Sequence, residues 1–487
     1  MRSDTHLPQL PHHLSARSVL SRLSILRVVL VFAAVVAVFA AVPSDTVAAL
    51  TTVIAICYLA ISLDRNWLLV RGFRSPSLIQ ISDEEALAVP DDELPFYTVL
   101  VPVFGEPTIM DYLNAGVGRL DYPVDKLEVL LLIEEDDLPT QQAVVDMSLP
   151  AVRVVLVPPS LPRTKPKACN YGMSVADPRS EMMTIYDAED IPEPLQLRRA
   201  VVAMRQAPSD VACAQCRLGY FNEKQNLLTR WFALEYDQWF GVVLPAVQDA
   251  RCVVPLGGTS NHIPTAVWRE VGGWDEFNVT EDADLGVRLA RYGYRTIILD
   301  SVTLEEANSD VINWVRQRSR WYKGYLQTML VHLRHPLQLR REIGTKAILR
   351  LITMTGAVPL GNAFNLLFWF ALLCWVAGRP PLITFLFPPT TYYLCLLLFI
   401  VVAPMAVFVG LVVSHAQGKP YLWWAALLVP FYWVLQAVAA IKAIYQLVFR
   451  PFFWEKTVHG LASNHFVPTH QSSSPATPAI PDGDQKP

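Results

Sequence analysis

Two blocks of long uncharged segments flank a charged middle region, and this arrangement restricts the fold more than any other feature of the sequence. Near the start of the chain, residues 28–42 and 46–63 contain no Asp, Glu, Lys or Arg. Near its end, the same holds for residues 351–378, 380–414 and 421–441. Segments of this length and composition are typical of helices that cross a bilayer. The sequence therefore predicts a membrane protein with a separate polar domain between its two membrane blocks.

The first block predicts a transmembrane hairpin over residues 23–70, preceded by a cytoplasmic tail over residues 1–22. Arginines flank the hairpin on both sides, whereas the turn between its two segments carries only Asp45. By the positive-inside rule, both flanks then lie in the cytoplasm. The alternative is a cleaved signal peptide, because residues 39–42 end in small side chains, but a second apolar segment follows at once.

The last block, residues 351–449, predicts transmembrane or interfacial helices. Its first two segments fit full spans, whereas Pro430 interrupts the third and Lys442 follows in the same helical pattern. A lysine at the centre of a span costs ~2.5–3.5 kcal/mol, so we expect residues 431–449 to be tilted or to lie at the interface. That placement returns the end of the chain to the cytoplasm, and three full spans would leave it outside.

Composition excludes several classes of protein. Hydrophobic residues make up 52% of the 487-residue chain and charged residues 17%, which excludes a disordered chain and an ordinary soluble enzyme. The balance of 40 basic against 44 acidic residues, a net charge of -4, does not fit a nucleic-acid partner. Seven scattered cysteines contain a single C-x-x-C pair, Cys213 and Cys216, which is not the pattern of a zinc site or a disulfide framework.

The middle region alternates short apolar runs with segments long enough for helices, which predicts an α/β fold with a mostly parallel sheet. The predicted strands are residues 97–103, 127–133, 152–157, 183–186 and 211–216. The predicted helices are around residues 108–120, 140–147, 167–175 and 194–205. Ligands of such sheets bind at the carboxyl ends of the strands.

Acidic residues follow the predicted fourth strand, where Asp187 and Glu189 alternate and Asp190 comes next. Converging carboxylates are suited to a hard cation such as Mg²⁺ or Mn²⁺, with diphosphate oxygens completing its coordination. A solvated acidic turn is the alternative. The domain has neither of the glycine-rich phosphate loops, so a metal and side chains would hold phosphate. Lys165 and Lys167 are the available cations, unless they are ordinary surface lysines.

The motifs later in the sequence also contain polar residues, and each motif allows a functional and a structural interpretation. Thr280 can cap a helix whose first turn contains Glu281 and Asp282, a position that the helix dipole favours for acids. His262 fits a hydrogen-bonding residue better than a base. Residues 314–324 mix arginines with aromatic residues, which is also typical of an interfacial helix, so residues 309–345 are predicted to be interfacial.

The order of these motifs resembles that of the membrane-embedded, processive family 2 glycosyltransferases, the group that includes cellulose, chitin and hyaluronan synthases. Residues 187–189 stand in the place of D-x-D, residues 280–282 match T-E-D, and residues 317–321 match Q-x-x-R-W. Two positions depart from the pattern. Glu189 replaces the usual aspartate, and a Glu-Glu pair (134–135) replaces the Asp-Asp pair that commonly follows the second strand.

The resemblance implies a GT-A-like cytoplasmic glycosyltransferase domain over residues 91–308, flanked by transmembrane helices in a multi-pass protein of the plasma (inner) membrane. It implies an inverting enzyme that polymerises a UDP-sugar, UDP-glucose by family frequency, into an exported β-glucan. Its partners would be the UDP-sugar donor, the growing polysaccharide, the lipid bilayer and accessory export proteins. The alternatives are a single-sugar transferase that acts on a polyprenyl phosphate, a metal-dependent phosphohydrolase, and a transporter with an inactive domain.

The resemblance also assigns roles to individual residues. Asp282 would be the general base, and Glu281 and Trp321 would bind the acceptor. Asp187 and Glu189 would hold Mg²⁺ or Mn²⁺. The residues assigned to the nucleotide-sugar are Glu106, Glu135, Lys167, Asp187 and Arg320.

The end of the chain carries two weaker signals. Residues 454–460 resemble a tail motif of related synthases, so residues 450–466 would form a gating segment, with an interfacial anchor as the alternative. Residues 467–487 are rich in Pro, Ser and Thr and predict a disordered tail.

Overall fold

The structure is a computed structural model that describes residues 10–19, 22–74, 77–105, 115–144, 151–378 and 389–451, together with six isolated positions at 113, 381, 385, 387, 453 and 455. Glu106, the predicted disordered tail and most of the predicted gating segment lie outside the described residues.

Two apolar helices open the described chain, α1 (Arg22–Ala41) and α2 (Pro43–Arg74). Asp45, which was expected in a turn between two spans, lies instead in the first turn of α2. The backbone N–H of Thr46 donates to the carbonyl of Val42 at 3.0 Å, so helical hydrogen bonding resumes at once after the junction. Proline can begin a helix because its missing N–H would have no partner in the first turn. Pro43 therefore explains why the two helices are separated by a single residue.

The polar domain contains one eight-stranded sheet of order β3-β2-β1-β4-β7-β6-β8-β5. Its strands are β1 (Tyr97–Val103), β2 (Leu127–Glu134), β3 (Val152–Val157), β4 (Met182–Ile185), β5 (Ile191–Pro192), β6 (Val211–Tyr220), β7 (Asn261–Pro264) and β8 (Arg295–Glu305). All five predicted strands are present. β1 pairs in parallel with β2 and β4, β2 with β3, and β6 with β8, whereas β7 is antiparallel to both β4 and β6. The predicted mostly parallel sheet is thus confirmed.

Burial along the strands follows their place in the sheet. Every residue of β2 is buried, as expected for a central parallel strand covered on both faces. Alternate residues of β1 enter different cores, because Val99 and Val101 belong to one apolar cluster and Leu100 to another, which also contains Cys169 and Met173 of the helix Lys165–Ser174. The side chains of β1 therefore hold the two covering layers onto the sheet.

Nine helices of the described chain complete the domain and lead to the second membrane block. They are α3 (Asp83–Leu87), α4 (Leu138–Ala143), α5 (Lys165–Ser174), α6 (Gln196–Gln206), α7 (Leu227–Gln238), α8 (Leu244–Asp249), α9 (Thr265–Glu270), α10 (Glu281–Arg291) and α11 (Val311–His332). Helices α5 and α6 match the predicted segments 167–175 and 194–205. The predicted helix at 140–147 is described as far as residue 144; of the one at 108–120, residues 108–112 and 114 lie outside the described residues, and the rest contains the short 3-10 helix Val117–Arg119.

The second membrane block comprises α12 (Pro336–Leu351), α13 (Val358–Val376), α14 (Pro389–Leu397), α15 (Ala403–Ala416), α16 (Trp423–Leu427) and α17 (Val429–Phe449). Four described helical segments are long and apolar enough to cross a membrane, namely Pro43–Arg74, Pro336–Val376, Thr391–Ala416 and Val429–Phe449. Pro430 stands in the first turn of α17, so it begins this helix after a break. The Lys442 ammonium forms an ion pair with the Glu455 carboxylate at 2.8 Å. This pairing compensates the lysine charge, which was the reason for expecting that residues 431–449 would not form a full span.

Candidate active site

A cavity of about 470 Å³ opens where the carboxyl ends of β1, β2 and β4 meet α11 and the apolar helices α2, α13 and α17. Its walls include six residues that the sequence singled out as functional, Asp187, Glu189, Glu281, Asp282, Arg320 and Trp321. These residues are far apart in the sequence, so the tertiary structure has brought the three predicted motifs to one place.

Asp187 follows β4 and forms an ion pair with Lys165, the first residue of α5. The Lys165 ammonium also donates to the carbonyl of Gly258 at 2.8 Å. Burial opposes the charge on Lys165, but Asp187 and Glu281 outweigh it and raise the lysine pKa above its ordinary value. A permanent cation therefore lies beside the first carboxylate of the D-x-D position.

Lys167, the lysine assigned to the diphosphate, points away from the cavity. Its Nζ lies 3.3 Å from both carboxylate oxygens of Glu134 and donates to the carbonyl of Pro158 at 2.8 Å. Two residues on a helix are separated by about 200°, so Lys165 and Lys167 face opposite sides of α5. Of the two lysines, Lys165 is therefore the one on the cavity wall.

The two glutamates at the end of β2 also differ in whether they line the cavity. Glu134 lines the cavity and is bound to Lys167, whereas Glu135, the residue assigned to the nucleobase, is exposed and lies outside the cavity wall. Phe104, just past β1, also lines the cavity and is 48% exposed.

Asp190 has a structural place beside the two predicted metal ligands. Its carboxylate accepts from the backbone N–H of Asp187 at 2.7 Å and from the hydroxyl of Thr259, while burial, with Asp187 and Glu189, raises its pKa. Asp190 thus fixes the turn, and Asp187 and Glu189 remain on the cavity wall. Within the described ranges no three His, Cys, Asp or Glu side chains converge on one point. Two carboxylates fit a Mg²⁺ or Mn²⁺ ion that takes its other ligands from substrate phosphates and water.

The T-E-D residues stand at the start of α10, on the opposite wall from β4. Thr280 occupies the cap position, but its hydroxyl makes no capping bond and contacts Asn278 Oδ1 at 3.4 Å instead, so the capping interpretation is wrong for this side chain. A carbon atom added at Gly258 would lie 3.3 Å from Asp282 Oδ2 and 3.9 Å from Lys165 Nζ. Asp282 and Lys165 therefore face the same small space beside Gly258. Burial raises the pKa of both Asp282 and Glu281, which suits a carboxylate that takes up a proton.

The Q-x-x-R-W residues lie on α11, with Arg320 and Trp321 on the cavity wall. Burial lowers the pKa of Arg320, while the nearby acids Glu281, Asp187 and Asp282 oppose this effect. The Trp321 ring lies 6.3 Å from the ring of Tyr236, at an interplanar angle of 29°. An aromatic surface is thus presented next to the acids.

Several residues of the cavity wall were not predicted. Glu305 ends β8 and Glu306 follows it, so the rule that ligands bind at strand ends would have found them had this strand been recognised. Arg65, Asn362 and Gln436 come from α2, α13 and α17. No local pattern marks these three, because they reach the cavity only through helix packing.

His262 is a buried hydrogen-bonding residue, as the sequence indicated. Its Nδ1 lies 2.6 Å from the Tyr97 hydroxyl oxygen, and burial lowers its pKa to about 3. A neutral imidazole inside the sheet stabilises the fold and takes no part in the cavity.

Comparison with known proteins identifies the family. The model described as glycosyl transferase family group 2 matches residues 182–454, more than half of the chain. The chain therefore belongs to this family, which confirms the predicted class of enzyme, a glycosyltransferase.

Three curated relatives show different degrees of coverage. A probable glycosyltransferase, YdaM of Bacillus subtilis, is 26% identical over 51% of this chain and 60% of its own length. A probable glucomannan 4-beta-mannosyltransferase of Oryza sativa is 28% identical over 48% of this chain and 41% of its own. The beta-monoglucosyldiacylglycerol synthase of Synechocystis is 26% identical over 78% of each chain. The chain thus spans about half the length of the first two relatives.

A solved structure supports the fold. The mannosyltransferase PcManGT from Pyrobaculum calidifontis, in complex with GDP-Man and Mn²⁺, aligns over 82% of this chain and 99% of its own, with a TM-score of 0.51 and 19% identity. This likeness confirms the predicted GT-A-like fold.

Proposed function

We propose that the protein is a processive, inverting β-glycosyltransferase that transfers hexose from a UDP-sugar, with UDP-glucose as the donor, to a growing polysaccharide. The observation that carries this proposal is the continuity of the cavity. It extends from Asp187 and Asp282 to Asn362 and Gln436 on helices of the membrane blocks, with Tyr322 between them. The amide groups of Asn362 and Gln436 and the hydroxyl of Tyr322 can hydrogen-bond to the hydroxyls of a sugar chain. The apolar tail of a lipid would leave these polar groups without partners.

The chain's own residues supply the chemistry of the transfer. The Asp282 carboxylate would take the proton from the attacking acceptor hydroxyl as that oxygen displaces the nucleotide from the opposite face of the sugar. Lys165 and Arg320 would donate to phosphate oxygens and compensate their charge. Asp187 and Glu189 would hold Mg²⁺ or Mn²⁺, which would neutralise charge on the leaving diphosphate when bound. Lys165 takes the place first assigned to Lys167 because it alone of the two faces the cavity.

Trp321 would stack on the acceptor sugar, whose C–H groups fit an aromatic face. Helices α2, α13 and α17 would then guide the product away from the catalytic domain. In this proposal the protein is a multi-pass protein of the plasma (inner) membrane, and its catalytic domain faces the cytoplasm, where nucleotide-sugars are made.

Two observations favour variants of this function. The Oryza sativa relative is named as a probable mannosyltransferase, so a mannose donor, tested as GDP-mannose, is the second donor to examine. The Synechocystis relative, similar over most of both chains, is named for the synthesis of a glucosylated lipid. Transfer of a single sugar to a lipid acceptor is therefore the second candidate function.

The test incubates the purified protein, in lipid nanodiscs, with UDP-glucose, UDP-N-acetylglucosamine or GDP-mannose and with Mg²⁺ or Mn²⁺. Release of the nucleoside diphosphate and the size of the product are measured together, and lipids are extracted to detect sugar-bound species. Polymer from UDP-glucose supports the proposal. A product limited to one sugar on a lipid, with every donor, refutes the processive function and supports the second candidate.

A further inference from the structure

A buried ionic cluster lies beside Trp321, formed by Arg318, Glu235 and Tyr432, which we call the Arg318 cluster; Arg318 and Glu235 also line the cavity. The two terminal nitrogens of Arg318 donate to the two carboxylate oxygens of Glu235 at 2.8 and 2.6 Å. The Tyr432 hydroxyl donates to Glu235 Oε2 at 2.7 Å and accepts from Arg318 at 3.2 Å. The Arg318 side chain is only 7% exposed, so the pairing is needed to hold its charge inside the protein.

The Arg318 guanidinium also lies among aromatic rings. Its central carbon is 4.8 Å from the centre of the Trp321 ring, 5.1 Å from that of Phe232 and 5.2 Å from that of Trp314. A guanidinium within about 6 Å of an aromatic face is attracted to it. The same side chain thus contacts both the Trp321 indole and the Glu235 carboxylate.

The cluster joins three helices of different origin. Glu235 belongs to α7 and Arg318 to α11, both in the polar domain, whereas Tyr432 belongs to α17 in the second membrane block. The Tyr432 ring packs at 5.1 Å from Trp314 and 5.3 Å from Trp231. A shift of α17 would therefore act on the Trp321 ring through two direct contacts, from hydroxyl to guanidinium and from guanidinium to indole.

We propose that Glu235, Arg318 and Tyr432 are positioning residues that hold the Trp321 ring against the acceptor and link it to α17. This inference rests on the proposed function, in which Trp321 contacts the acceptor. The second residue of the Q-x-x-R-W motif thereby has a role that the motif itself does not assign. Donor binding, on the side of Asp187 and Lys165, does not depend on the cluster.

The test compares Tyr432→Phe with wild type in nanodiscs, and it measures mean product length and the KM for the donor. We expect products about tenfold shorter, the factor that corresponds to about 1.4 kcal/mol, because a hydrogen bond to a charged partner is lost. The donor KM should be unchanged. Tyr58→Phe is the matched control, since the Tyr58 hydroxyl donates to Asn365 at 2.9 Å between two membrane helices away from the cavity.

A double variant decides whether the cluster acts through Trp321. If it does, Trp321→Ala with Tyr432→Phe should give the same product length as Trp321→Ala alone, because the ring to be positioned is gone. Shortening that multiplies in the double variant overturns the inference, as does a Tyr432→Phe protein that behaves like Tyr58→Phe. If wild type adds only one sugar to any acceptor, the proposed function itself fails, which is a different result from a processive enzyme insensitive to Tyr432.

Discussion

The contact between Gly324 and Thr280 makes the T-E-D position sensitive to a single methyl group. Gly324 lies on α11, three residues after Trp321, and is buried against Thr280. A carbon atom added at Gly324 would lie 2.8 Å from Cβ of Thr280 and nearer still to its Cγ2 and Oγ1. Carbon atoms in contact are normally ~3.5–4.0 Å apart, so Gly324→Ala must move α11 or the start of α10 by about 1 Å.

The expected effects of Gly324→Ala on stability and on the transfer rate follow from the position of Thr280. Overpacking of this kind costs ~1–3 kcal/mol of stability, which lowers the melting temperature but leaves a folded protein. A displacement of about 1 Å at a reacting group costs ~10²-fold in rate. Thr280 directly precedes Glu281 and Asp282, so we expect the rate of transfer to fall by about 100-fold.

The assay measures release of the nucleoside diphosphate and the melting temperature on the same preparation. Gly361→Ala is the control, because its added methyl would meet nothing closer than 3.8 Å. Thr280→Ala removes the two nearest atoms, so the double variant should be more active than Gly324→Ala alone. Gly324→Ala with wild-type activity would refute the close contact, and a double variant without recovery would refute the clash as the cause.

Four further predictions test the assigned roles. Asp282→Asn should bind the donor but lose ~10²–10⁴ in transfer rate, and near wild-type synthesis would remove Asp282 from the mechanism. Because burial raises the pKa of Asp282, kcat/KM of the wild type should rise with pH through a pKa above the ordinary aspartate value of ~3.9; a profile that is flat down to pH 4 would contradict the assignment. Asp187→Ala should lose metal-dependent donor binding, measured by titration with and without Mn²⁺, and equal metal-independent affinity in both proteins would count against it. Trp321→Ala should shorten the product with donor binding intact, whereas an interfacial anchor would instead lose melting temperature without a selective effect on chain length.

Much of the fold is local in origin and could be predicted from the sequence. The five predicted strands are short runs rich in apolar residues, and β1, β2, β4 and β6 are buried along most of their length, whereas the edge strand β3 is largely exposed. Asp187 and Glu189 were found because they follow such a strand, and Asp282 because residues 280–282 match T-E-D in the order of the motifs. The short strand β7 was missed, since its four residues include Asn261, His262 and Pro264, and only its neighbours β4 and β6 make it a strand.

The sequence by itself determined which residue types the site contains and the order in which they come, since strand exits and helix starts are set by local periodicity and by backbone hydrogen bonding. The tertiary structure decided which of two neighbours faces the cavity, Lys165 rather than Lys167, because that choice depends on how α5 is rotated against the sheet. It also decided the pairing of Arg318 with Glu235 and Tyr432, 83 and 114 residues away. A charged side chain can be buried only where its partners contact it. These contacts depend on how the helices pack together and not on any single segment of the chain.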